Sequence, residues 1–128
     1  MHDDDAEVAG VVRLLLARDA RLIAIGHGRD DASAATADAF ALAWEAAGGE
    51  LAARVDWAPA GASWLRQARR LTSGQPDAWV IADTAEGFAP MARRLRASTD
   101  WDPGRTVFIG RLVRSDPLST GEPDPWTR

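Results

Sequence analysis

Apolar and polar positions follow two alternating rhythms along this chain. From about residue 5 to 19, Val8, Val11, Val12, Leu15 and Leu16 recur at three- and four-residue intervals, the spacing of one helical face. Asp3, Asp4 and Asp5 ahead of them supply capping side chains and a charge that favours a helix start. Residues 21–26 (RLIAIG) form a short β-branched run closed by glycine, which reads as a buried strand. A polar loop over 28–31 follows. In residues 33–47, Ala37, Phe40, Ala41, Trp44 and Ala47 share one helical face, with Ser33 or Asp31 as the cap and Gly48-Gly49 as the stop.

The alternation then repeats. Residues 51–57 read as a weaker strand, Pro59-Ala60-Gly61 as a break, and Ser63 as the start of a helix with Trp64, Leu65, Ala68 and Leu71 inward. Residues 78–82 (AWVIA) are a strongly apolar strand. Asp83-Thr84 caps a helix striped by Phe88, Met91, Ala92 and Leu95. Trp101-Asp102-Pro103-Gly104 turns the chain into a last strand at 106–109 (TVFI). Strands alternating with helices of this length imply right-handed crossovers and a parallel sheet covered on both faces. The fold class expected is α/β in three layers, four parallel strands in the order 2-1-3-4. One domain is expected over 1–114, followed by a Pro/Gly-rich tail over 115–128.

That topology selects a ligand edge, because such sheets bind at the carboxyl ends of their strands near the point where strand order reverses. The loops so placed are 26–31, 83–86 and 110–112. His27 is a candidate acid/base or anion donor. Arg29 and Asp31 beside it offer a guanidinium fork for an anion and a carboxylate for an amine. Asp83 and Thr84 combine a carboxylate, a hydroxyl and a helix N-terminus. Gly26 and Gly28 suit a tight turn that needs positive φ. The segment lacks the third glycine of a dinucleotide fingerprint, and no phosphate loop occurs.

Composition narrows the chemistry. The 128 residues carry 15 basic and 19 acidic side chains, a formal charge of -4, which argues against a general nucleic-acid binder or an anionic-membrane binder. No cysteine is present and only His2 and His27 are histidines, so thiol chemistry and multi-histidine metal centres are excluded. Neither a metal nor a cofactor is expected. Every basic residue is arginine, and lysine, asparagine and tyrosine are missing, a bias typical of a GC-rich genome. The acidic start does not read as a secretory leader, and a cytoplasmic location is expected. The arginines at 66, 69, 70, 93, 94 and 96 read as solvated helix faces. Of the six tryptophans, Trp44 and Trp64 read as core and Trp79 as facing a helix layer. Trp57, Trp101 and Trp126 suit an interface, from which a homodimer is expected.

Consecutive phrases from residue 21 to about 112 resemble one lobe of a type 1 periplasmic binding protein, the branched-chain amino-acid-binding kind. They are the strand and loop LIAIGHGRDD, the helix end AAGGE, WAPAGASWLRQARRL, QPDAWVIADTAEGFAPMARRLRAS and the strand VFIG. The resemblance implies a flavodoxin-like half of a two-lobed fold, with ligand contacts from His27–Asp31, Asp83-Thr84 and Gly110-Arg111. The family's aromatic contacts have no counterpart in those loops, and Arg111 stands near the position where the family carries an acid. A shallower resemblance, strand–GHG–charged loop, is to cobalt and sirohydrochlorin chelatases. It implies His27 as acid/base or metal ligand, although the further histidine of such a site is missing. The reading is a binding module for a small polar or anionic molecule through His27, Gly28, Arg29, Asp31, Asp83, Thr84 and Arg111, or a dimerising interaction subunit. The alternative is a small chelatase-like enzyme.

Overall fold

A computed structural model describes residues 3–57 and 64–109. Their elements are α1 (Asp3–Ala17), β1 (Leu22–Gly28), α2 (Asp31–Ala46), β2 (Glu50–Trp57), α3 (Trp64–Thr72), β3 (Ala78–Ala82), α4 (Ala85–Ser98), a 3₁₀ turn (Pro103–Arg105) and β4 (Thr106–Ile109). The four strands pair in parallel in the order β2-β1-β3-β4. This is the α/β architecture that the strand–helix alternation predicts. Residues 58–63 and 110–128, with Pro59-Ala60-Gly61, Ser63, Arg111, Trp126 and the tail, lie outside the described residues.

The pleat divides the core in two. Ile23, Ile25, Val80, Ala82 and Ile109 meet α1 and α2 through Val11, Leu15, Phe40 and Trp44. Ala24, Val55, Trp57, Trp79, Ile81 and Phe108 meet α3 and α4 through Leu71, Phe88, Met91 and Leu95. Strands buried on both faces read as unbroken apolar runs, which is why β1 and β3 stand out in the sequence. β2, on the edge, alternates less cleanly, and its pairing slips by one residue beside Ile23/Ala24.

Helix ends correct the sequence reading in detail. The cap of α2 is Asp30, whose Oδ2 accepts from Ser33 N at 2.9 Å, rather than Asp31 or Ser33. After α2, Gly48 takes φ +94°, and the backbone bonds Gly49 N→Trp44 O and Gly48 N→Glu45 O close a Schellman turn. A Cβ on Gly49 would lie 2.0 Å from the Trp44 ring, so that glycine also makes room. The end of α1 has the same bonding, Ala20 N→Leu15 O and Asp19 N→Leu16 O, but the left-handed position is held by Asp19 (φ 63°).

Four apolar expectations change. Trp57 and Trp101 are buried core residues (2% and 5% exposed), not wet interface side chains. Phe88 touches both rings, and Trp57 also gives its N–H to a carboxylate, which lets an indole close the core at a strand end. Leu16 and Leu65 are exposed rather than inward, because each sits at the margin of its helix's apolar stripe.

Candidate functional site

The first strand runs two residues beyond its expected end, to Gly28, and that shift decides where His27 goes. As a strand residue it takes the same face as Ile23 and Ile25, under α2, and is buried (5% exposed). Its Nδ1 donates to Gly28 O at 2.7 Å, and Arg54 Nε donates to its Nε2 at 3.3 Å. One tautomer, with the proton on Nδ1, satisfies both contacts. Arg54 also pairs with Asp38 of α2 through Nη2 at 2.6 Å. His27 therefore stitches β1 to β2 and, through Arg54, to α2.

The two glycines flanking it are extended, not in the positive-φ turn expected of them, and they serve as space on the opposite face. A Cβ on Gly26 would lie 2.6 Å from the Trp57 ring, and one on Gly28 would lie 2.7 Å from Asp83 Oδ1. Gly28 is in register with Trp57 on β2. Thus Trp57 and Asp83 reach across the central strand because that strand carries no side chain there.

Asp83, immediately after β3, is buried and held at both oxygens. Trp57 Nε1 donates to Oδ2 at 2.8 Å, and Thr84 N donates to Oδ1 at 2.7 Å. Thr84 caps α4, its Oγ1 accepting from Gly87 N at 3.0 Å. A Cβ on Gly87 would lie 2.6 Å from the Asp83 carboxylate, so this glycine too admits it. Arg29 stands at the rim, its Nε 3.1 Å from Asp56 Oδ1, and Gln67 Nε2 donates to Asp56 O.

These groups line one depression of about 340 Å³: Gly28, Arg29, Asp30, Trp57, Asp83, Thr84, Glu86 and Gly87. It lies at the carboxyl ends of β1, β2 and β3, where strand order reverses. Of the residues selected from sequence, Gly28, Arg29, Asp83 and Thr84 come together there. His27 does not line it, and Asp31 sits exposed in the first turn of α2. Arg111 lies outside the described residues. Glu86 lines it from within the selected loop 83–86, whereas sequence reasoning missed Trp57 and Gly87 as lining. The signal for Trp57 was its place at the end of a strand that pairs with the Gly-His-Gly segment.

Chemically, the wall offers acceptors in Asp83, Glu86 and Asp30. Donors come from Arg29 and from the Ala85 and Glu86 N–H groups at the start of α4, which no intrahelical carbonyl can take, the Gly87 N–H being held by Thr84 Oγ1. Among the described residues no group of three His, Asp or Glu side chains could hold a metal ion, and no helix is long and apolar enough to cross a membrane. A further depression of about 380 Å³, lined by Arg18, Asp19, Asp77 and Arg105 among others, opens at the amino ends of the strands, away from the strand-order switch.

No protein-family model and no curated protein matches the sequence. Solved structures match the fold. An extracellular ligand-binding receptor from Rhodopseudomonas palustris HaA2 superposes with a TM-score of 0.64 at 22% identity, over 73% of this chain and 26% of that one. A substrate-binding periplasmic protein from Ralstonia solanacearum gives 0.63 at 17% identity, over 78% and 31%. A branched-chain amino acid ABC transporter periplasmic ligand-binding protein from Burkholderia xenovorans LB400 gives 0.69 at 14% identity, over 91% and 31%. The fold is thus that of one lobe of type 1 periplasmic ligand-binding proteins, and the chain spans between 26% and 31% of the length of these structures.

Proposed function

We propose that this chain is a binding module that takes a small polar molecule into the depression between the ends of β1 and β3 and the start of α4. The observation that carries the reading is Asp83. Its carboxylate is buried, oriented at both oxygens by Trp57 and Thr84, and set beside Gly28 and Gly87 in the wall of a 340 Å³ depression. A carboxylate held in a fixed orientation is suited to recognition, because little ordering is left to be lost on binding. Three carboxylates line the site against one guanidinium that already meets Asp56, so a ligand rich in N–H or O–H donors fits better than a plain anion. The likeness to ligand-binding lobes supports the same class of function.

The chelatase-like reading needs His27 at the ligand. Here both ring nitrogens face protein partners on the α2 side of the sheet, and that reading gains no support.

A thermal-shift screen of amino acids, amines, polyols, sugars and carboxylates tests the module. A ligand selective for the native state adds about 2.7 kcal/mol at a hundredfold excess over its Kd. The expected result is a donor-rich hit whose shift is reduced in Glu86→Ala. A hit whose shift survives both Arg29→Ala and Glu86→Ala would place binding elsewhere, and no hit in any class would sink the proposal.

A further inference from the structure

The two helical layers carry opposite charge. α3 holds Arg66, Arg69 and Arg70 with no acid, and α4 holds Arg93, Arg94 and Arg96 against Glu86 alone. All six arginines are exposed, and α3 packs against α4, so they gather on one side of the molecule. On the other side of the sheet, α2 holds Asp31, Asp38 and Glu45 with no base. In sequence, α1 adds Asp3, Asp4, Asp5 and Glu7 against Arg13. A chain with a formal charge of -4 therefore sorts its charge by layer. Layers flanking a sheet stand on the order of 20 Å apart, beyond the Debye length of about 8 Å in physiological salt, so a partner meets each face separately.

Five of the six arginines of the basic face, Arg66, Arg69, Arg70, Arg93 and Arg94, meet no acidic side chain among the described residues. Arg66 and Arg70, and Arg93 and Arg96, are like charges at helical spacings where such pairs repel. Leu65, 36% exposed, lies one turn before Arg69 on the same helix and puts an apolar contact inside the arginine field.

We propose that the α3–α4 face docks an acidic amphipathic helix of a protein partner. Arginine forks match carboxylates bidentately, and α4, at 14 residues, is about 21 Å long, the scale of one helix laid across the pair. Single-stranded nucleic acid fits less well. Trp79, Phe88, Trp101 and Phe108 of this half are buried and offer no stacking surface. A long polyanion or an anionic bilayer would also extend past the patch onto a molecule with net negative charge.

The test is fluorescence anisotropy of the full chain with a labelled Glu-rich helical peptide of about four turns that carries one leucine stripe. Raising salt from low to roughly 0.3 M should weaken binding about tenfold. The triple variant Arg66→Glu, Arg69→Glu, Arg93→Glu should weaken it by about tenfold or more. Arg13→Glu, on the acidic side, should leave it unchanged. The corresponding Gln triple keeps the effect measurable if charge reversal disturbs folding, with melting curves as the check. The proposal is overturned if the triple variants bind as the parent does, or if Arg13→Glu weakens binding equally. It is also overturned if duplex DNA or phosphatidylserine–phosphatidylcholine vesicles displace the peptide more effectively than unlabelled peptide does. Low-salt self-association that the triple abolishes would assign the face to a second copy instead.

Discussion

Trp57 Nε1 reaches over the central strand to donate to Asp83 Oδ2 at 2.8 Å, tying the edge strand β2 to the end of β3. The bond is possible because Gly28, between them, has no Cβ. Trp57→Phe keeps the ring contact with Phe88 and removes the donor. A hydrogen bond to a charged group contributes about 1.5–3 kcal/mol, and urea denaturation of this variant should show a loss in that range. A loss under about 0.5 kcal/mol would mean that water replaces the indole without cost.

Gly28→Ala puts a methyl group against the Asp83 carboxyl, where the contact is too short to keep. Overpacking of this kind costs about 1–3 kcal/mol. Because Asp83 must turn, any ligand shift found in the screen should fall more in Gly28→Ala than in Gly10→Ala. A Cβ at Gly10 meets only the end of the Arg13 side chain, at 3.9 Å. Equal shifts in the two variants would separate Asp83 from binding.

Asp19 occupies the left-handed position of the turn after α1, where α2 has Gly48. An L side chain is strained there, so Asp19→Gly should stabilise the protein by about 0.5–1 kcal/mol, offset in part by the freedom glycine adds to the unfolded chain. Thermal melts should show a rise of a few degrees. A fall would mean that the Asp19 side chain does more for the turn than its backbone strain costs.

Asp77 predicts a pH dependence. Its Oδ2 accepts from Leu22 N at 3.0 Å and from Arg21 N at 2.9 Å. These bonds, with the charges of Arg105 and Arg21, hold its pKa below the ordinary 3.8. A folded value below the unfolded one means that the stabilisation is fully present above pH 3.8 and is lost as pH falls through the lowered value. Asp77→Ala should therefore be less stable than the parent at pH 7, and the gap should narrow in acid below pH 3.8. A gap independent of pH would mean that the carboxylate charge contributes nothing.

Much of the fold was legible because each buried strand is a short apolar run and each helix keeps a stripe. The strands at 78–82 and 106–109 fall where the sequence places them, and the order 2-1-3-4 follows from right-handed crossovers. The same logic located Gly28, Arg29, Asp83 and Thr84 at one edge, since loops at strand ends are ordered by topology.

Local pattern alone settled the periodicity, the strand directions and the edge that a ligand would approach. Side-chain direction was a tertiary matter. Extending β1 by two residues moved His27 from a loop into the pleat, under α2, and turned two apparent turn glycines into gaps for Trp57 and Asp83. A strand's last residues continue only while a neighbour supplies hydrogen bonds, and His27 and Gly28 pair with Asp56 and Trp57 some thirty positions along the chain. The gathering of six arginines on one face has the same origin: each helix shows only a solvated stripe, and their addition waits on α3 and α4 lying side by side.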